Sequence, residues 1–255
     1  MSPPLPGGLL ARPLAHRALH DAGRGRPENS RAAIRAAIAA GYGIEIDVQL
    51  SADGEALVFH DYDLGRLTGA RGPLRARTAA EAATIALTGG DGETIPTLAE
   101  VLAIVAGQVP LLIEIKDQDG AMGPDIGPVE AAVARALAGY AGEVAVMSFN
   151  PHSVARMAEL APDLPRGLVT SAYYPHDWPL PAEVRDRLRE IPDFARSGAS
   201  FISHEVEDLH RARVRELHAA GVPVLCWTVT SPLAEAAARR LADNITFEGY
   251  LAALA

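Results

Sequence analysis

The sequence predicts an α/β fold, a TIM-type (β/α)8 barrel with an insertion after its second strand. Three observations carry that expectation. Eight short runs rich in β-branched and other apolar residues recur along the 255-residue chain. Amphipathic stretches of helical length lie between most of them, the order that builds a parallel sheet. No Gly-rich turn follows the first run, as an open dinucleotide-binding sheet would need, so closure into a barrel is the better match.

The first run is LAHRA at 14–18, followed by a loop containing PENS at 27–30 and the amphipathic stretch SRAAIRAAIAAG. Asn29 reads as the cap of that helix, with Ser30 a second candidate. The second run, YGIEIDVQL at 42–50, alternates: Ile44, Ile46 and Val48 share one face, Glu45 and Asp47 the other. In LSADGEALVFHD a tight turn at Asp53-Gly54 leads into a returning strand that ends at His60. From about 62 to 96 the chain is polar, rich in Gly and Thr and poorly periodic, which reads as an insertion at the loop-bearing end of the barrel. The remaining strands are expected at 110–116, 143–149, 166–171, 200–205, 223–229 and 244–249. Helices are expected between them, the one in PAEVRDRLREIPDFARSG running over 181–198. Several open on Ser, Thr, Asn or Asp and close on Gly, the residues that satisfy helix ends. One domain, 1–255, accounts for the chain.

The net charge of −9 argues against a nucleic-acid partner or stable association with an anionic membrane, both of which need basic patches. A single cysteine, Cys226 in VPVLCWTV, excludes an internal disulfide and reads as a buried, inert thiol. No signal peptide and no apolar run long enough to span a bilayer are evident, so a cytoplasmic protein is expected.

Chemistry concentrates at the C-terminal ends of the expected strands, where barrels of this class carry their sites. Residues i and i+2 of a strand share a face with Cα atoms roughly 6–7 Å apart. Glu45 and Asp47 would therefore repel one another on an apolar strand unless a cation sat between them. Hard divalent cations prefer such oxygens. Glu114 and Lys116 repeat the spacing in PLLIEIK, His16 and Arg17 end the first strand, His60 ends the hairpin, and Trp227 stands at the seventh strand. Three carboxylates, two histidines, two cations and an indole at one rim are expected to be an active site.

Together these residues resemble the glycerophosphodiester phosphodiesterase family, with HR at 16–17, PENS at 27–30, EID at 45–47, HD at 60–61 and EIK at 114–116 in the family's order. IPTLAEVL at 95–102, SFNP at 148–151 and CWTV at 226–229 extend the likeness along nearly the whole chain. The resemblance implies a TIM barrel that hydrolyses glycerophosphodiesters to glycerol 3-phosphate and an alcohol. It implies one divalent cation, Mg²⁺ or Ca²⁺, held by Glu45, Asp47 and Glu114. Arg17 and Lys116 would bind phosphate oxygens, Trp227 would pack on the glycerol or the leaving alcohol, and His16 and His60 would be general acid and base in an order left open. Two departures stand out: Ala18 replaces the usual Gly after His-Arg, and DNITFEGYL replaces the usual ITD-(Y/F)-P ending. Two alternatives compete, a phospholipase D-like lyase acting on lysolipids and a non-catalytic metabolite-binding barrel. The identity of the leaving alcohol and the oligomeric state are left open.

Overall fold

In the computed structural model, which describes residues 2–254, each expected apolar run is a strand and a ninth, short strand joins them. The order is α1 (Gly7–Ala11), β1 (Leu14–Ala15), α2 (Arg31–Ala40), β2 (Gly43–Leu50), β3 (Ala56–Val58), α3 (Ala79–Ala82), α4 (Leu98–Val105), β4 (Leu111–Ile115) and α5 (Val129–Leu137). There follow β5 (Val144–Ser148), α6 (Pro151–Leu160), β6 (Arg166–Thr170), α7 (Ala182–Arg189), β7 (Phe201–Glu205), α8 (Ala212–Ala219), β8 (Val224–Val229), α9 (Pro232–Ala238) and β9 (Asn244–Phe247). Eight parallel strands close on themselves through the pairing of β1 with both β9 and β2, and the ninth, β3, is antiparallel to β2.

Strand alternation divides the apolar residues into two cores. Ile44, Ile46, Val48, Ile113 and Ile115 point outward and pack under α2, α4 and α5 with Ile34, Val101 and Val133. Leu14, Leu112, Val169, Phe201 and Leu225 point inward and fill the barrel. The lower mouth is closed by α1, whose Leu9 joins that inner core. Asn244, the first residue of β9, donates from Nδ2 to the carbonyls of Leu9 (2.8 Å) and Arg12 (2.6 Å), tying the plug to the last strand. Cys226 lies fully buried in the outer core, and burial pushes its thiol up to about 12, so it is inert as expected.

The brevity of β1 shapes the upper half of the barrel. It pairs only with Gly43 and Ile44, leaving the rest of that edge of β2 open. The chain leaving β1 donates from Ala18 N–H to the Glu45 carbonyl, and the chain leaving β3 donates from Phe59 N–H to the Asp47 carbonyl (3.0 Å). His16 and His60 are thus delivered to one edge of one strand.

Residues 62–96 are less featureless than their periodicity suggests. Leu64, Leu74, Leu87 and Ile95 form a third buried cluster with Leu57 and Phe59. Short 3-10 turns and isolated bridges, not long elements, present these side chains, so no period shows in the sequence. Arg31 fastens the segment to the barrel, donating to the Thr94 carbonyl (2.9 Å) and to Glu100 (2.9 Å).

Two expectations about helices are corrected. Ser30, not Asn29, caps α2 by accepting from Ala33 N–H, and Gly41 closes the helix at a φ of 79°. The helix expected over 181–198 ends at Arg189, because Pro192 cannot donate to a continuing ladder and Ile191 turns to a φ of 48° before it.

The plug makes a direct prediction. Leu9→Ala should lower unfolding stability by about 2–5 kcal/mol, the usual range for a buried leucine truncated in a packed core. Urea denaturation checks it, and an unchanged midpoint would show that α1 does not seal the barrel.

Candidate active site

All eight side chains singled out in the sequence meet at the upper mouth of the barrel. His16, Arg17, Glu45, Asp47, His60, Glu114, Lys116 and Trp227 line one cavity of about 130 Å³, together with Phe149 and Thr246 among others. The parallel pairing of β2 with β4 sets Asp47 opposite Glu114, so two strands contribute carboxylates at one level.

The three carboxylates are 2%, 1% and 8% exposed at Glu45, Asp47 and Glu114, and one oxygen from each lies within 4.8 Å of the others. Such a set is unfavourable unless compensated. Burial, then the charges of Asp47 and Glu114, raises Glu45 well above the carboxylate range. Burial acts the same way on Asp47, but the charges of Lys116, His60 and Arg17 overcome it and hold Asp47 well below its ordinary value. Lys116 Nζ donates to Glu114 Oε1 (2.8 Å) and stands 3.4 Å from Asp47 Oδ1. Burial disfavours its charge, yet Glu114 and Asp47 raise it above the usual lysine range, so it stays an ammonium. Arg17 donates from its backbone N–H to Glu45 Oε2 (2.9 Å) and from its guanidinium to Glu28 Oε1 (2.8 Å), so it has the structural ion pair as well as a place in the cavity. A hard cation would fit this donor set: three carboxylate oxygens converge, and the proton affinity raised at Glu45 is the penalty that such an ion removes.

Each histidine is held by a carboxylate through Nδ1. His16 Nδ1 lies 2.6 Å from Glu248 Oε2, and His60 Nδ1 lies 2.7 Å from Asp61 Oδ1. Hydrogen bonds from His16 and then His20 keep Glu248 well below the carboxylate range, so it is an acceptor and Nδ1 of His16 carries the proton. Burial lowers His16 from its ordinary value more than its bond to Glu248 raises it.

Four contributors escaped the sequence reading. Asn29, at a φ of 59°, donates from Nδ2 to Asp47 Oδ2 (3.0 Å) and accepts from Asp47 N–H (3.3 Å). Gln49 continues the inward series after Glu45 and Asp47, and its Nε2 donates to the carbonyls of His60 (2.9 Å) and Asp61 (2.6 Å). The i, i+2 spacing was its available signal. Glu248 and Thr246 come from β9 and the loop beyond it, with no local pattern to mark them. Ala18 sits at a φ of 65° beside Arg17 at 51°, so the chain makes its left-handed turn out of β1 without a glycine. Of the other histidines, His204 is buried against Thr170 Oγ1 (2.7 Å) and His176 is exposed, and neither lines the cavity. An aromatic wall stands opposite, with Phe149 packed edge-on to Trp227 at 5.5 Å and Trp227 Nε1 donating to the Ser203 carbonyl (3.0 Å).

Residues 16–246 match the model of the glycerophosphoryl diester phosphodiesterase family. A Bacillus subtilis relative named for that activity is 29% identical over 215 residues, covering 80% of this chain and 82% of its own. A glycerophosphodiester phosphodiesterase of Caldanaerobacter subterraneus is 34% identical over 161 residues, 60% of this chain and 65% of that one. Among solved structures, an Oleispira antarctica phosphodiesterase in complex with the product sn-glycerol-3-phosphate superposes with a TM-score of 0.74 at 26% identity, over 92% of this chain and 91% of that one.

Asn29 supports a prediction of its own. Asn29→Ala strips the buried Asp47 carboxylate of one donor and its N–H of an acceptor, which should cost about 1–3 kcal/mol of stability. Denaturant unfolding checks this, and a loss below about 0.5 kcal/mol would reduce the contact to incidental proximity.

Proposed function

The chain belongs to the glycerophosphoryl diester phosphodiesterase family and is an enzyme of that activity, and from this premise we propose that it cleaves small, water-soluble glycerophosphodiesters to glycerol 3-phosphate and an alcohol with a divalent cation, Mg²⁺ or Ca²⁺, held by Glu45, Asp47 and Glu114. The observation that carries the proposal is the joint placement, in one cavity, of two carboxylate-fixed histidines, two cations and a buried three-carboxylate cluster. When bound, the cation would neutralise phosphate charge and acidify an oxygen nucleophile. Arg17 Nε is buried without a hydrogen-bond partner, as is Thr246 Oγ1, and both line the cavity. They are free to meet non-bridging oxygens, with Lys116 adding charge that strengthens as the transition state develops.

His16 takes the base role. Its Nδ1 proton is committed to Glu248, which leaves Nε2 with a lone pair, and burial keeps the ring neutral near pH 7. It accepts the proton of the attacking hydroxyl: water gives glycerol 3-phosphate directly, whereas the glycerol 2-hydroxyl gives a cyclic phosphate that water then opens. His60, fixed by Asp61 and by Gln49 behind its backbone, protonates the departing alkoxide. Trp227 and Phe149 pack on the apolar parts of the substrate. Residues 1–255 act as one barrel domain, with 62–96 as an insertion packed on its own small core. No helix among the described residues is long and apolar enough to cross a membrane, and the 130 Å³ cavity favours a short leaving group over an acyl chain.

Two outcomes test this reading. Glycerophosphocholine should release glycerol 3-phosphate, with kcat/KM above that for lysophosphatidylcholine below its micelle concentration. Chelation should abolish the release and Mg²⁺ or Ca²⁺ restore it. Full turnover by metal-free protein in excess chelator would overturn the metal assignment, and a preference for the lysolipid would overturn the substrate assignment.

A further outcome concerns pH. His16 works as a base only when neutral, so kcat/KM falls as pH drops through its pKa. Glu248 raises that pKa, so Glu248→Gln should shift the acid limb to lower pH. It should also lower kcat by about tenfold through lost orientation of the ring. An acid limb that stays in place would detach Glu248 from His16.

A further inference from the structure

We propose that Arg66 is a positioning residue that holds the His60 and Arg17 arms of the active site in a single register. Its guanidinium is the sole link between the two arms among the described residues that comes from the 62–96 segment. Nε donates to Asp61 Oδ2 (2.6 Å) and Nη2 to Asp61 Oδ1 (2.7 Å), a two-pronged grip on the carboxylate that orients His60. The same fork reaches Glu28, with Nη1 to Oε2 (2.8 Å) and Nη2 to Oε1 (2.8 Å), and Glu28 in turn receives Arg17. Arg17 Nε stands 3.7 Å from Asp47. A continuous line of charge-assisted contacts therefore runs His60–Asp61–Arg66–Glu28–Arg17–Asp47.

Two features argue for positioning rather than for stability. Arg66 is 49% exposed although Glu28 is 10% and Asp61 22% exposed, so water reaches the cation of both pairs and weakens what they add to folding. Its backbone, by contrast, is rigidly placed: Leu64 is fully buried in the segment's own cluster, Leu67 packs against that cluster, and Thr68 N–H donates to the Leu64 carbonyl (3.1 Å). A planar fork on a fixed backbone can set two carboxylates at a defined separation, which a single ammonium cannot. The segment would thereby set the spacing between the proton donor and the phosphate-binding guanidinium.

The inference rests on the catalytic reading of His60 above. Arg66→Ala should lower kcat about tenfold or more while leaving the unfolding temperature nearly unchanged. Arg66→Lys should recover part of the loss. Guanidinium ion, added far below denaturing concentrations, should restore activity to Arg66→Ala, whereas ammonium should not. A kcat within twofold of the unmodified enzyme, or a loss that guanidinium leaves unrelieved, overturns the proposal. His60→Ala, run alongside, separates the two readings. Activity retained there overturns the assignment of His60 itself. An inactive His60→Ala beside a fully active Arg66→Ala overturns the arginine's part alone.

Discussion

Three carboxylates crowded on the inner wall of a barrel form the constraint to which the rest of the upper mouth answers. Their burial is imposed by strand geometry: inward positions of β2 and β4 meet at one level, and the pairing of Asp47 with Glu114 keeps them almost wholly buried beside the cavity. Each neighbour compensates part of that charge. Lys116 supplies a full positive charge, Arg17 supplies a backbone donor and a guanidinium, and Asn29 supplies a neutral amide where another cation would not fit. The negative charge that remains is what a hard cation at this cluster would neutralise. A core of ordinary packing would have no use for such an arrangement, and its cost is concentrated where binding and chemistry can offset it.

The same wall explains the topology of the catalytic groups. Because β1 is only Leu14–Ala15, β2 has an unpaired upper edge, and the returning β3 fills it. Two histidines separated by a helix, a strand and a hairpin in the chain thereby reach the same cavity as the carboxylates. A full-length β1 would have occupied that edge and turned β3 away. The aromatic wall of Phe149 and Trp227 completes the enclosure from the far side.

Local periodicity made much of this legible beforehand. Alternation in GIEIDVQL placed Glu45 and Asp47 together, LLIEIK did the same for Glu114 and Lys116, and the β-branched runs marked all eight barrel strands. Features that depend on meetings between distant elements were not legible. Glu248 reaches His16 across 232 positions of sequence, and nothing near either residue announces the other. Asn29 looked like a helix cap because its type and place suit one, but its left-handed backbone turns the side chain to Asp47 and passes the capping to Ser30. Arg66 belongs to a segment whose order comes from a small core without a period, so its role was hidden with that core. The overlong helix at 181–198 shows a rule underweighted: proline ends a helix even when the amphipathic pattern runs on.

The knot between the plug and the last strand bears on how the molecule is made. Asn244 grips the carbonyl of Leu9 across 235 residues, so this fastening of the plug forms only after β9 has been made. Vectorial synthesis therefore produces, for most of its course, an unclosed sheet with an apolar lumen and two bare edges. A prematurely terminated product lacks that handshake and exposes the lumen, which makes it a ready target for quality-control proteases and chaperones.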